Sequence, residues 1–160
     1  MKEDGVGIAV CGPVFMTIFF APPTVERLNR LIVVQRKEMT RDRHVVISFI
    51  DPGVGKEMTD QARKRAKEIS DEMDPYTIAN CLIVLGEGFF ASMVRSVVAG
   101  IMLFSRQKHP WKVFGDIDAG LKWTLERGAQ AGKAVDVEAT RTCVRDLLAG
   151  TSHEAIKNAS

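Results

Sequence analysis

No pair of cysteines in this 160-residue chain stands at the spacing that metal or redox chemistry usually needs. Cys11, Cys81 and Cys143 are far apart, with no C-x-x-C and no histidine pair beside them, so they fit bland packing in a reducing compartment better than disulfides or zinc. Histidine is as sparse. His44, His109 and His153 form no i, i+4 pair and have no carboxylate cluster to complete a site, so neither a metal nor any other cofactor is expected. Charge of one sign is also missing: 22 Lys and Arg against 20 Asp and Glu leave a formal net charge of +2, too little for the basic footprint that nucleic acid or an acidic membrane requires. Met1-Lys2-Glu3-Asp4 leads straight into strand-like sequence, so no signal peptide is read and the expected location is cytoplasmic.

Long hydrophobic runs are absent but for one. Gly88 to Ser105 is apolar almost throughout, yet Arg95 sits in its middle and Arg106-Gln107-Lys108 ends it. A spanning helix needs roughly 20 apolar residues and tolerates a central charge poorly, so the segment predicts a helix buried on a sheet. With 46% hydrophobic and 26% charged residues, the chain has enough apolar side chain for one real core.

What is present is a cadence. Two apolar runs, Val6 to Cys11 and Val14 to Phe20, flank Gly12-Pro13, which reads as the turn of an antiparallel hairpin. Pro22-Pro23 stops the second run. Val25, Leu28, Leu31, Ile32 and Val34 then fall at helical spacing. His44 to Ile50 is a β-branched run, apolar on both faces, and predicts a central strand. Met58, Ala62, Ala66, Ile69 and Met73 form the narrow stripe of a second helix, which Asp74-Pro75 ends. Thr77 to Leu85 predicts another buried strand, the apolar helix from Gly88 follows, and Trp111 to Phe114 is a short strand. Asp116 caps a helix carrying Ile117, Leu121 and Leu125. Asp136 caps a last one carrying Val137, Cys143, Val144, Leu147 and Leu148.

Helices alternating with buried strands imply an α/β layered sheet of about five strands. Its N-terminal hairpin is antiparallel and the remainder mostly parallel, with four helices as cover and an extra C-terminal helix. The order β-β-α-β-α-β-α-β-α resembles the STAS fold of anti-sigma-factor antagonists. The closing element, Trp111-Lys112-Val113-Phe114-Gly115-Asp116 running into Ile117-Asp118-Ala119-Gly120-Leu121-Lys122-Trp123, is similar to that of SpoIIAA-like proteins. The expected organisation is a STAS-like domain over 5–127, a linker over 128–135, an amphipathic helix over 136–149 and a flexible tail over 150–160. The resemblance implies a non-catalytic bacterial signalling module. Its partner would be a protein of the kinase or anti-sigma-factor type, with a homodimer through the C-terminal helix as a further expectation.

The turn Asp51-Pro52-Gly53-Val54-Gly55-Lys56-Glu57 lies between a strand and a helix, where phosphate loops occur. It lacks the P-loop spacing, and Glu57 stands where magnesium needs a hydroxyl. In STAS antagonists a Ser or Thr at the start of this helix is phosphorylated. The resemblance therefore marks Thr59, with Gly55, Lys56 and Asp60, as a partner or phospho-switch site, although the Asp-Ser-Ser-Gly signature is absent and Thr59 also suits a simple cap. Cys81 with His109, and Ser92 with His44, are the nucleophile pairings available to a small enzyme; neither carries a strained elbow. The carboxylate pairs Asp71 with Glu72 and Asp116 with Asp118 have structural explanations at helix ends. Arg27, Arg30, Arg36, Lys37, Arg41 and Arg43 read as a solvated face, or as a surface for an acidic protein. Phe89, Phe90 and Met93 point to an alternative function, a small-molecule or lipid-binding module with an apolar groove beside the Gly88 to Ser105 helix.

Overall fold

The computed structural model describes residues 2–3, 5–39, 42–51, 54, 58–86 and 108–149. Along them run β1 (Lys2–Glu3), β2 (Val6–Cys11), β3 (Val14–Phe19), α1 (Val25–Met39), β4 (His44–Ile50), α2 (Asp60–Met73), β5 (Thr77–Val84), β6 (Trp111–Phe114), α3 (Ile117–Gln130) and α4 (Val137–Leu148). The strands form one sheet in chain order. β1 and β3 pair antiparallel with β2, whereas β3, β4, β5 and β6 run parallel to one another. This is the expected α/β layout, with the two-residue β1 added at its edge. The apolar segment from Gly88 to Ser105 lies outside the described residues.

Local chemistry explains the boundaries. Gly12 adopts φ +54°, the positive value that a two-residue hairpin loop needs at its first central position. All four described helices begin on a side-chain cap: Thr24, Thr59, Asp116 and Asp136 each accept a hydrogen bond from the amide three residues on, at 3.2, 3.2, 2.7 and 2.9 Å. Each cap satisfies a backbone donor that the helix itself leaves unpaired.

Because side chains alternate across a strand, β3, β4 and β5 supply two cores. Val14, Met16, Ile18, Ile47, Phe49, Cys81 and Ile83 face α3 and α4, where Leu121, Val144, Leu147 and Leu148 close over them. On the opposite face Phe15 and Val46 pack with Leu31 and Met39 of α1. Leu28 and Ile32 pack with Ala62, Ile69 and Met73, joining α1 to α2. The C-terminal helix thus lays its apolar stripe on the chain's own sheet.

Two segments differ from the sequence expectation. The stripe of α1 runs through Leu28, Leu31, Ile32, Gln35 and Met39, so Gln35 rather than Val34 continues the buried row. Residues 128–135, expected as a linker, hold the end of α3 and an ordered turn. Lys133 donates its amide to the Gly128 carbonyl at 3.0 Å, Gly132 takes φ +75°, and Val135 packs into the α3/α4 core.

α3 approaches β5 through Gly120, where an added Cβ would lie 2.7 Å from Cδ1 of Ile83 and 3.2 Å from Sγ of Cys81. Overpacking of a dense core costs about 1–3 kcal/mol, so Gly120→Val is expected to lower stability by that amount in urea denaturation. An unchanged unfolding midpoint would contradict this close approach.

Candidate functional site

The face of the sheet beneath α1 and α2 is not wholly apolar. All three central strands contribute polar side chains to it: Thr17 of β3, Ser48 of β4, and Thr77 and Asn80 of β5. Thr17 and Ser48 are cross-strand partners, and the Thr17 hydroxyl donates to Ser48 Oγ at 3.2 Å. Asn80 stands opposite Val46 on one side and Trp111 on the other. Above this floor α1 and α2 leave a cavity of about 280 Å³. Its walls include Leu28, Leu31 and Gln35 of α1, Ala66, Ile69 and Met73 of α2, and His109 just before β6. Apart from the polar floor, Gln35, Asp51, Ser70 and His109, these walls are mostly apolar, the mixture of apolar surface and few polar groups common to ligand sites.

His109 is held by Asp74, the residue that ends α2. Asp74 Oδ1 lies 2.7 Å from His109 Nδ1 and accepts the Lys108 amide at 3.2 Å. The side chains of His109 and Asp74 are only 5% and 15% exposed. Burial lowers the His109 pKa below its ordinary value; Asp74 pulls it upward, and the positive charge of Arg43 adds to the lowering. An ionised carboxylate only accepts hydrogen bonds, so neutral His109 carries its proton on Nδ1 and presents Nε2 as an acceptor. That Nε2 is buried without a hydrogen-bond partner. Oε1 of Gln35 and Oδ1 of Asn80 are in the same condition.

Elsewhere the candidate residues separate. Thr59 is exposed and caps α2, while Asp60 is exposed and pairs with Arg63 at 2.8 Å. Gly55 and Lys56, and Phe89, Phe90 and Met93 of the expected groove, lie outside the described residues, as does Ser92. Cys81 points to the α3 face, where its thiol donates to the Gly120 carbonyl at 3.6 Å and burial pushes its pKa up to about 11. His109 lies on the other side of the sheet, so these two do not meet. His44 instead donates Nδ1–H to the Asp42 carbonyl at 2.9 Å. Cys11 and Cys143, far apart in sequence, do come together: burial first, and then the neighbouring Cys11 thiol, raise the Cys143 pKa to about 11.

The carboxylate pairs are structural. Lys67 binds Asp71, Arg36 grips Glu72 with two bonds at 2.6 and 2.9 Å, and Arg141 binds Asp118. Of the basic cluster, Arg27 donates to the Pro22 carbonyl, Arg30 binds Glu26, Lys37 faces Glu38 and Arg43 donates to the Thr77 carbonyl; Arg41 lies outside the described residues. No group of three or more His, Cys, Asp or Glu that could hold a metal ion occurs among the described residues. No helix among them is long and apolar enough to cross a membrane.

Comparison of the chain with family models, curated proteins and solved structures returned no match.

The polar set was partly visible in sequence. Gln35 interrupts an apolar stripe seven residues after Leu28, and Thr17, Ser48 and Asn80 each interrupt an apolar strand. Nothing local pairs His109 with Asp74, which are 35 residues apart.

Depression of the His109 pKa has a defined sign. The unfolded chain takes up the proton first as pH falls, so the stabilisation is complete above the usual imidazole value of about 6.5 and is lost as pH drops through the lower folded value. Urea unfolding from pH 7.5 to 5 should show falling stability, and His109→Phe should flatten the slope. A flat wild-type profile over that range would contradict a buried neutral imidazole.

Proposed function

We propose that this domain is a small-molecule-binding module whose ligand occupies the cavity between the sheet and helices α1 and α2. The observation that carries the reading is the coincidence of three unpartnered buried polar atoms, on Gln35, Asn80 and His109, with the lining of one cavity. Each such atom costs about 1–3 kcal/mol when left unsatisfied, and native interiors hold few of them. Their concentration around one cavity supports a site completed by a bound molecule. The groove expected beside residues 88–105 lies outside the described residues; the type of function is the same. Volume sets the scale: an apolar cavity of about 150 Å³ holds one benzene, so about 280 Å³ suits a two-ring compound.

The test is a fluorescence titration with 2-naphthol. Saturable one-to-one binding is expected, and Ala66→Phe, which puts a ring into the cavity, should abolish it while the thermal unfolding transition persists. Absence of saturable binding, or binding indifferent to Ala66→Phe, would contradict the reading.

A STAS-like regulatory role, with a kinase or anti-sigma factor as partner, is the second reading. It is favoured by the exposed residue Thr59 at the start of α2, where helix amides and dipole would stabilise a phosphate on the hydroxyl that now caps the helix. Mass spectrometry after incubation with bacterial kinases should find phosphate on Thr59. An unmodified peptide under conditions that phosphorylate known antagonists would contradict it.

A further inference from the structure

We infer that the ligand of this cavity is a neutral, mostly apolar molecule that donates a hydrogen bond, an alcohol, a phenol or an N–H heterocycle, and that His109 Nε2 is its principal acceptor. The inference rests on the cavity reading above and adds the chemistry of the ligand. All three unpartnered atoms around the cavity are acceptors: Oε1 of Gln35, Oδ1 of Asn80 and Nε2 of His109. The assignment at His109 is the firmest, because Asp74 takes the only ring proton and leaves Nε2 with a free lone pair. A donor on the ligand answers that lone pair; a ligand that only accepts leaves it buried and unmet.

The described lining offers an ionised acid no counter-charge. No Lys or Arg is among the described residues that line the cavity. A phosphate or carboxylate head would be desolvated there without a counter-charge. This separates the inferred ligand from a fatty acid or phospholipid buried head-first.

Each of the three acceptor atoms is sealed from solvent. Contact with a ligand therefore requires side-chain rotations that turn these atoms toward the cavity.

Three probes of one shape decide the matter: 2-naphthol, 2-methoxynaphthalene and 2-naphthoate, titrated at pH 7.5 against the full chain. The expected order is 2-naphthol tightest, the methoxy compound weaker by about tenfold or more, and the naphthoate weakest, since one buried acceptor left unmet costs about 1–3 kcal/mol. His109→Phe should erase most of the naphthol advantage, and Asn80→Leu should reduce it, with thermal melting as the control for folding. Equal affinity of the naphthol and the methoxy compound, or a preference for the naphthoate, would overturn the inference while leaving a binding cavity in place. Failure of all three to bind would overturn the cavity reading itself. Should both variants fail to fold, the wild-type ratio of naphthol to methoxy affinity decides alone.

Discussion

Burial of β3, β4 and β5 on both faces is the constraint from which the rest of the structure follows. A strand covered on both sides cannot leave a polar side chain to water, so every hydroxyl, amide or imidazole there must find a partner inside the protein. The α3/α4 face comes closer to meeting that demand: it is apolar almost throughout, with Cys81 and Thr124 both turned to the Gly120 carbonyl, and Arg127 Nε of α3 is its one atom buried without a partner among the described residues. The α1/α2 face does not. Thr17 and Ser48 satisfy each other, but Asn80, Gln35 and His109 each keep an unmet atom.

That asymmetry separates the two halves of the fold by role. Under α3 and α4 the chain is closely packed: Gly120 admits no side chain beside Ile83, and α4 covers the sheet with Val144, Leu147 and Leu148. Under α1 and α2 the packing stops short and leaves about 280 Å³. A smaller pocket, about 120 Å³, lies between α3 and α4 and is lined by Asp118, Glu138, Arg141 and Arg145 beside Ile117, Leu121 and Val144.

The sequence carried the order of elements well, because strand burial, helix periodicity and caps are local properties. Thr59, Asp116 and Asp136 are each legible as a cap from a few neighbouring residues, and each caps its helix. The site was much less legible. Thr17, Ser48 and Asn80 are visible as single interruptions of apolar strands, but their common face depends on register between strands that only the crossovers fix. His109 meets Asp74 because the end of α2 and the start of β6 fall at the same edge of the cavity, which no spacing in the chain announces. Cys11 and Cys143 are brought together in the same non-local way, by α4 lying against the sheet.

The central claim is that His109 offers a neutral, unprotonated Nε2 to a ligand in this cavity. Long-range nitrogen–proton correlation NMR on histidine-labelled protein measures it directly. At pH 7.5 the account predicts the Nδ1–H tautomer for His109, with the Nε2 resonance moving when a neutral phenol saturates the protein and staying in place with its methyl ether. An Nε2–H tautomer, a doubly protonated ring, or an Nε2 resonance indifferent to a saturating phenol would contradict it.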